Sequence, residues 1–438
     1  MSAADTIYAL ASGAAAGAVA VLRLSGLGSG EAVRRLAGGL PPPRHASLRR
    51  LRAADGETLD HVLVLWFPGP ASYTGEDAAE FHLHGGRSVI AGVIEALAAI
   101  GLRQAEPGEF TRRAFLHGKM DLTAAEGIAD LIAAETTAQR RQALHQAGGG
   151  LAKLYGGWAE RLARLLAHQE AAIEFAEDGL PTDLDIKARV GAGALCAEIE
   201  EHLADARRGE LLREGLVFTI IGAPNAGKSS LLNALAGREA AIVSSRAGTT
   251  RDIVEVRLDL AGVPVTISDT AGLREAGDEI EAEGIKRAER RAEEAQLVIT
   301  VFSADQKPDA ETLRWVRPEA LVLVNKCDLQ AAPAAIGGIP TMAVSAREGT
   351  GLDALRSRLS EAALQLAGAG QGNQLTRPRH RAALMEASAL LAQAEKAILP
   401  ELTAEALRAA LFAIGRLTGR VGVEEILDIV FRDFCIGK

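Results

Sequence analysis

The hydrophobic pattern divides the chain into segments with different periods. Short apolar runs at Val19–Leu24 and His61–Phe67 predict strands within residues 1–117. Beyond them the apolar positions follow a helical period, and we predict helices over Thr123–Thr136, Ala138–Gln146 and Leu151–Phe175.

Residues 213–367 instead alternate strands and helices. The apolar runs Leu216–Ile221, Val263–Ile267 and Leu321–Val324 each precede a polar loop, which is typical of a parallel sheet. The helical pattern returns over Arg379–Phe434. We therefore predict an α/β domain inserted into a helical domain and preceded by a smaller mixed domain.

The predicted domains are residues 1–117, 118–212, 213–367 and 368–438, with the second and fourth forming one helical domain. Its long helices, over 151–176 and 379–397, are expected to pair in one bundle.

A phosphate-binding loop begins the inserted domain. Residues 222–229 read G-x-x-x-x-G-K-S between a predicted strand and a helix that begins at Ser229. In this context the loop N–H groups bind phosphate oxygens, Lys228 reaches the β- and γ-phosphates and Ser229 holds Mg²⁺. The pattern predicts a nucleoside triphosphate site.

Three later segments indicate guanine. Asp269–Gly272 can hold a magnesium-bound water and meet the γ-phosphate, and Thr250 can complete the magnesium shell. Asn325–Asp328 supplies a carboxylate for the guanine N1 and N2 edge, and Ser345–Ala346 supplies an N–H for O6. The predicted GTP-binding residues are Asn225, Ala226, Gly227, Lys228, Ser229, Ser230, Ser244, Ser245, Arg246, Ala247, Gly248, Thr249, Thr250, Asp269, Thr270, Ala271, Gly272, Asn325, Lys326, Asp328, Ser345 and Ala346.

Composition limits the possible partners and compartment. The net charge of −9 gives no general attraction to nucleic acid, so any RNA contact has to be local. Three scattered cysteines provide neither a disulfide framework nor a zinc site, which favours a reducing compartment. The sequence has no signal peptide and no membrane-spanning run, so we expect a cytoplasmic protein.

Three stretches outside the nucleotide domain resemble the bacterial MnmE (TrmE) family of tRNA-modification GTPases. They are Pro70–Gly86, Glu106–Thr123 and the terminal Cys435–Lys438. The resemblance covers nearly the whole chain. It implies a fold of mixed α/β and α class, with an N-terminal α+β folate-binding domain, an α-helical bundle and an inserted Ras-like P-loop GTPase domain.

The resemblance also implies a reaction and its partners. The family acts as a homodimer with the flavoprotein MnmG (GidA), in a heterotetramer, and adds an aminomethyl or carboxymethylaminomethyl group to C5 of the wobble uridine, position 34, of certain tRNAs. The one-carbon unit comes from 5-formyl- or 5,10-methylene-tetrahydrofolate. By position, the folate contacts fall on Arg23, Glu80, Lys119 and Lys438.

GTP hydrolysis needs a group that orients the attacking water, and this chain lacks the residue that usually does so. Many GTPases orient the attacking water with Gln directly after Asp-x-x-Gly, but this chain has Leu273. The resemblance assigns the catalytic acid to Glu281, the alternative being a solvated helix face. The resemblance also implies activation by K⁺, which would offset the negative charge of the transition state. The alternative is that Arg246 supplies this positive charge as an arginine finger from the same chain. The implied ligands are Ser229 and Thr250 for Mg²⁺, and Asn225, Ser244, Arg246 (by its backbone) and Thr249 for K⁺.

Two further features remain open. Cys435 is either a nucleophile for uracil C6 or a small apolar residue that seats the tail. The run Arg377–Arg381 is either a tRNA contact or the solvated start of a helix.

Two other functions compete with this interpretation: a ribosome-assembly GTPase and a free-standing folate-dependent transferase. The chain has no G-x-G-x-x-G flavin motif, so redox chemistry would have to come from a partner.

Overall fold

The computed structural model divides into two compact units, which we describe separately. Unit 1 comprises residues 1–129, 146–161 and 411–438, and unit 2 comprises residues 130–145 and 162–410. The structure describes all residues except 1–4, 14–16, 175–183, 238–254, 270–289, 369–371, 422–426, 428–429, 432–433, 435–436 and 438. The predicted boundaries at residues 117, 212 and 367 stay predictions.

Unit 1 contains a six-stranded mixed sheet. Its strands are β1 (Ile7–Leu10), β2 (Val19–Ser25), β3 (Ser47–Arg52), β4 (Thr58–Phe67), β5 (Ala78–His84) and β6 (Arg103–Gln104). Their order is β3-β4-β5-β2-β1-β6, and the pairing is antiparallel except between β1 and β6. The helices are α1 (Ser29–Ala37), α2 (Arg87–Ala99) and α3 (Glu109–Leu116). Both strands predicted for this region are confirmed.

Alternation along β2 explains why this sheet has one buried face. Ala20, Leu22 and Leu24 are buried, and they form a core with Phe81 of β5 and Val33 of α1. Each large side chain in such a core contributes about 1.5–3 kcal/mol. Arg23 lies between the buried positions, so it points to the opposite, partly exposed face.

Unit 2 contains the expected parallel sheet. Its strands are β7 (Leu216–Ile221), β8 (Glu255–Leu260), β9 (Val263–Asp269), β10 (Leu297–Ser303), β11 (Leu321–Asn325), β12 (Ala335–Ile336) and β13 (Ile339–Ala343), in the order β12-β13-β11-β10-β7-β9-β8. The edge strands β8 and β12 pair antiparallel, and the others pair parallel. Parallel pairing brings the carboxyl ends of β7, β9 and β11 to one edge, where the predicted motifs begin.

The remaining helices precede, interrupt and follow the strands of unit 2 along the chain. They are α4 (Leu122–Ala133), α5 (Thr137–Ala147), α6 (Gly150–Glu174), α7 (Leu184–Ala204), α8 (Ala206–Glu214), α9 (Lys228–Ala236), α10 (Ala310–Leu313), α11 (Leu352–Ala367), α12 (Pro378–Lys396) and α13 (Pro400–Thr418). The predicted helices at α4, α5, α6 and α12 are confirmed. α12 packs along α7, which the sequence pattern had not singled out. The predicted pairing of α12 with the helix over 151–176 stays a prediction. No described helix is both long and apolar enough to cross a membrane.

One carboxylate in unit 2 joins the two chain segments that lead into and out of the strand–helix region. Asp130 Oδ1 accepts hydrogen bonds from Arg213 Nε of α8, at 3.0 Å, and from Arg377 Nη2, at 2.8 Å. The segments also approach closely, because a Cβ on Gly209 would lie 2.1 Å from the Leu375 carbonyl oxygen. Gln374 donates to Asp205 at 3.1 Å. The entry and exit of the inserted region are therefore fastened to each other.

Candidate functional site

The phosphate-binding loop connects the end of β7 to the start of α9. Asn225 is exposed and has φ +64°, and Gly227 has φ +88°. A Cβ on Gly227 would lie 2.2 Å from Asn325 Nδ2. Gly227 is therefore required both by its backbone conformation and by the space available. The G-x-x-x-x-G-K-S pattern at residues 222–229 forms the predicted strand–loop–helix.

Lys228 and Ser229 lie in the first turn of α9. Lys228 Nζ donates to the carbonyl oxygens of Gly222, at 2.9 Å, and Ala223, at 3.0 Å. Ser229 Oγ donates to Asp269 Oδ2 at 3.1 Å. A hydroxyl and a carboxylate oxygen are hard ligands that suit Mg²⁺, directly or through water. The structure thus brings together the phosphate-binding loop and the end of β9, and the oxygen ligands present there fit the predicted Mg²⁺.

Asn325 links the phosphate-binding loop to the predicted base-binding loop. Its Nδ2 donates to the Ala226 carbonyl oxygen at 3.0 Å, and its Oδ1 accepts from the Ala346 N–H at 3.1 Å. Asn325 and Ser345 are buried, whereas Asp328 is exposed, as a carboxylate that meets a base edge has to be. Four segments far apart in sequence therefore meet at one sheet edge.

Lys326 has an acidic neighbour that sequence reasoning missed. Lys326 has φ +62°, and its Nζ lies 3.6 Å from Asp305 Oδ1. A hydrogen bond from the Ser303 hydroxyl, followed by the charge of Lys326, lowers the pKa of Asp305 below its usual value. Only the position of Asp305 just after β10, at the same sheet edge, could have indicated this contact.

Part of the predicted machinery lies outside the described residues. This part includes nearly all of the two predicted switch segments, residues 238–252 and 269–285, and most of the C-terminal tail. The predicted residues concerned are Ser244, Ser245, Arg246, Ala247, Gly248, Thr249, Thr250, Thr270, Ala271, Gly272, Leu273, Glu281, Cys435 and Lys438.

In unit 1 the predicted folate residues Arg23 and Glu80 form an ion pair. They are directly opposite each other on β2 and β5. Glu80 Oε1 accepts from Arg23 Nε at 3.1 Å and lies 3.0 Å from Arg23 Nη2. Glu80 Oε2 lies 3.2 Å from His82 Nε2. The three side chains are 19–30% exposed, so they offer both charges at a surface that a ligand can reach.

Tyr73 adds an aromatic surface to this pair. The Arg23 guanidinium carbon lies 5.7 Å from the centroid of the Tyr73 ring, and the phenol hydrogen-bonds Thr111 Oγ1 at 2.9 Å. Burial raises the pKa of Tyr73. Lys119 Nζ donates to the Pro70 carbonyl oxygen at 2.9 Å, so one loop contacts both Arg23 and Lys119. Sequence analysis assigned no role to Tyr73 or His82, although both lie in the Pro70–Gly86 motif.

A charge network connects α3 to this loop. Glu109 is 1% exposed and contacts Arg103 at 2.7 Å and Arg113 at 2.9 Å. Arg113 also contacts Glu76 at 3.0 Å, and Glu76 accepts from the Ser25 hydroxyl at 2.7 Å. Burial alone would raise the pKa of Glu109, but hydrogen bonds from Arg103, the Glu106 N–H and Arg113 together lower it.

The C-terminal segment packs within unit 1. Phe431 and Phe434 belong to a buried cluster with Leu122, and a Cβ on Gly108 would lie 2.7 Å from the Phe431 carbonyl oxygen. Gly437 has φ +97°, and a Cβ there would lie 2.3 Å from the Leu10 carbonyl oxygen. Leu10 follows Ala9, which pairs with Arg23. Of the described residues that flank Cys435, Gly437 thus lies against the N-terminal sheet, and Phe434 lies against Gly108 at the start of α3.

The run Arg377–Arg381 begins α12, which confirms the helix start, but the run is only partly solvated. Arg377 contacts Asp130, Arg381 Nη1 lies 3.4 Å from Glu210 Oε2, and His380 is fully buried. Since two of its arginines pair with acidic residues of the same unit, the geometry gives no support to the tRNA interpretation.

Comparisons with known proteins agree across the whole chain. Family models for the GTP-binding protein TrmE N-terminus and the MnmE helical domain match residues 6–119 and 122–435. The tRNA modification GTPase MnmE of Gluconacetobacter diazotrophicus is 56% identical, with 99% of this chain and 98% of that protein covered. The protein of the same name from Paramagnetospirillum magneticum is 54% identical, with 99% and 100% covered.

Similar solved structures cover less of the chain. Era of Aquifex aeolicus, bound to GDP and AlF4−, is 22% identical over 42% of this chain and 69% of its own, with a TM-score of 0.28. The G domain of the T. maritima FeoB iron transporter is 24% identical over 34% of this chain and 98% of its own, with a TM-score of 0.26. The family assignment rests on the full-length relatives and not on these partial similarities.

Proposed function

The chain belongs to the MnmE family of tRNA modification GTPases, and from this premise we propose its reaction. It hydrolyses GTP in tRNA modification. We propose that it works as a K⁺-activated homodimer with a flavoprotein partner. Together they add an aminomethyl or carboxymethylaminomethyl group to C5 of the wobble uridine, using a tetrahydrofolate one-carbon unit.

The observation that carries the folate part is the Arg23–Glu80 pair beside Tyr73. A pterin presents adjacent N–H donors that a carboxylate such as Glu80 accepts, and its ring can lie against an aromatic face. The glutamate tail of a folate needs a cation, which Lys119 or Arg23 would supply. The packing of Gly437 against Leu10 keeps the terminal tail in the same unit as these residues. Cys435 and Lys438 stay proposed participants.

The proposal for hydrolysis rests on the phosphate-binding loop. Lys228 is the phosphate-binding cation, and Ser229 with Asp269 would hold Mg²⁺. Bound K⁺ would supply positive charge near the developing negative charge on the phosphates. Asn225, exposed in the middle of the loop, offers an amide oxygen for it. Glu281 is the proposed catalytic acid, and Arg246 is the alternative source of positive charge.

The contacts between the inserted region and α5 suggest how a conformational change on GTP hydrolysis would be transmitted to the rest of unit 2. The β8–β9 turn contacts α5 through a hydrogen bond from the Ala138 N–H to the Gly262 carbonyl oxygen, at 3.3 Å, and Arg257 contacts Glu135 at 2.8 Å. β9 ends at Asp269, beside the magnesium position. A change in the switch segments would therefore act on α5 through this turn, while Asp130 keeps both connecting segments together.

Nucleoside mass spectrometry of tRNA tests the reaction. A strain that lacks this protein should lose the wobble modification, and the wild-type chain should restore it. Glu80→Gln should fail to restore it while GTP turnover stays normal, since Glu80 and the nucleotide motifs belong to different units. The surface substitution Glu95→Gln is the matched control. Unchanged modification in the deletion strain would refute the proposal, and equal GTP turnover in K⁺ and Na⁺ would refute its cation part.

A further inference from the structure

One segment of unit 1 has a charge opposite to that of the whole chain. Residues 32–54 contain six arginines, one histidine and no acidic residue, although the chain carries a net charge of −9. The arginines are Arg34, Arg35, Arg44, Arg49, Arg50 and Arg52, and we call them the arginine edge. The segment has no lysine. The planar guanidinium of arginine can bind two phosphate oxygens at once, which the ammonium group of lysine does not do in a fixed geometry.

The fold gathers the arginine edge along one border of the sheet. Arg49, Arg50 and Arg52 lie on β3, the outermost strand, whose free side has no neighbour among the described strands. Arg34 and Arg35 lie on α1, which packs against β3. Arg44 lies in the turn between them, with its guanidinium 5.9 Å from the Phe67 ring centroid. All are exposed except Arg49, which is half-buried.

Much of this positive charge is not neutralised. Arg34 and Arg35 share one acidic neighbour, Glu31, in exposed pairs of 3.6 and 3.0 Å. Arg50 Nε donates to His61 Nε2 at 3.1 Å, a contact that supplies no negative charge. Among the described residues, Arg49 and Arg52 have no ion-pair partner. Such a concentration of like charge is unfavourable within the chain alone and becomes favourable beside a polyanion.

We propose that the arginine edge binds the sugar–phosphate backbone of the tRNA substrate. This inference rests on the proposed function and adds the surface of this chain that the RNA would contact. Arg50 and Arg52 lie on one face of β3 about 7 Å apart, and Arg49 lies on the other face, so the border presents cations on both sides. Phosphate contacts position an RNA without reading its sequence.

A simpler role for charge on a border strand is protection against edge-to-edge aggregation. That role does not account for Arg34, Arg35 and Arg44, which lie outside the strand, and protection needs no choice of arginine over lysine. The run Arg377–Arg381, the basic run that the sequence suggested as a tRNA contact, pairs with Asp130 and Glu210. The arginine edge is therefore the surface we assign to RNA.

Salt-dependent binding of unmodified tRNA to the full-length protein tests the proposal. The test variant combines Arg49→Gln, Arg50→Gln and Arg52→Gln. The control combines Arg314→Gln, Arg356→Gln and Arg358→Gln, which removes the same charge from exposed positions of unit 2. The test variant should lower the slope of log affinity against log salt by about two to three, and weaken binding about tenfold or more at 0.1 M salt. The control should leave the slope unchanged.

Other outcomes separate the alternatives. Equal slopes for the two variants would overturn the proposal, as would new self-association of the test variant with unchanged tRNA binding, which indicates edge protection. Loss of binding to phosphatidylglycerol vesicles with tRNA affinity intact would assign the surface to lipid. If the triple variant does not fold, Arg34→Gln with Arg35→Gln replaces it. Failure of this proposal can be told apart from failure of the proposed function. Nucleoside mass spectrometry of the deletion strain tests the reaction alone, because its result does not depend on which residues bind the RNA.

Discussion

The nucleotide site of unit 2 and the proposed folate site of unit 1 hold their side chains by different means. In unit 2, Lys228 donates to two main-chain carbonyls, and Asn325 contacts two main-chain carbonyls and one N–H. In unit 1, Arg23 contacts the carboxylate of Glu80, and Glu109 joins two arginines. One site depends on loop shape, and the other depends on pairs of opposite charge.

This difference sets what each site is sensitive to. Main-chain contacts do not titrate, so the nucleotide loop should depend on backbone conformation. Buried ion pairs require both partners, because removing one leaves an uncompensated charge that costs about 3–5 kcal/mol. Unit 1 should therefore respond to charge and pH, and the nucleotide loop to glycine replacement.

The largest expected effect is on the stability of unit 1. Glu109→Gln should destabilise it by about 3 kcal/mol, because Arg103 and Arg113 lose their shared carboxylate. The pKa of Glu109 is lowered by folding, so its contribution is complete above the unfolded value of about 4.3. It is lost as the pH falls through the folded pKa. Hydrogen exchange of β1–β6 amides at several pH values measures this.

The control is Glu31→Gln, which removes an exposed carboxylate with two arginine neighbours on α1. It should change stability by about 0.5 kcal/mol or less. If Glu109→Gln were as mild as this control, the network would not hold α3, and the contrast between the two sites would disappear.

A smaller effect is expected for one glycine of the nucleotide loop. Gly227→Ala should weaken GTP binding about 10- to 100-fold, since the left-handed backbone costs a side chain about 1–2 kcal/mol and the new Cβ would displace Asn325. Gly237→Ala, at the end of the same helix with φ −72°, should change affinity little. Titration with a fluorescent GTP analogue compares them, and equal affinities would mean that loop shape is not limiting.

The same contrast explains how much the sequence could predict. The nucleotide site follows from short motifs, because residues 222–229 alone specify the loop and its helix. Ion pairs join residues far apart in sequence: in unit 1 Arg103 contacts Asp5 at 2.9 Å, and in unit 2 Asp130 contacts Arg377 at 2.8 Å. Neither local period nor motif spacing encodes such pairs. The same limit explains why the sequence did not indicate the pairing of Arg377 with Asp130.

The strands of the two sheets differ in how well the sequence predicted them. Continuous apolar runs predicted β7, β9 and β11 within two residues, because strands buried on both faces need no alternation. β3 was not predicted, since its sequence Ser-Leu-Arg-Arg-Leu-Arg resembles no buried strand. Its arginines are tolerated because it is a border strand, and that position depends on the whole sheet order.

The smallest expected effect concerns the one charge pair noted beside the nucleotide site. Asp305 is 37% exposed and Lys326 Nζ is 3.6 Å away, so the pair is solvated and loose. Asp305→Asn should change GTP affinity by less than about threefold, because the backbone at Lys326, with φ +62°, and the Asn325 contacts already position this loop. Titration of the variant with a fluorescent GTP analogue measures the change, with Asp309→Asn as the control. A tenfold loss specific to Asp305 would show that a carboxylate positions Lys326. The nucleotide site would then depend on charge pairs as unit 1 does, and the proposed division between the two sites would fail.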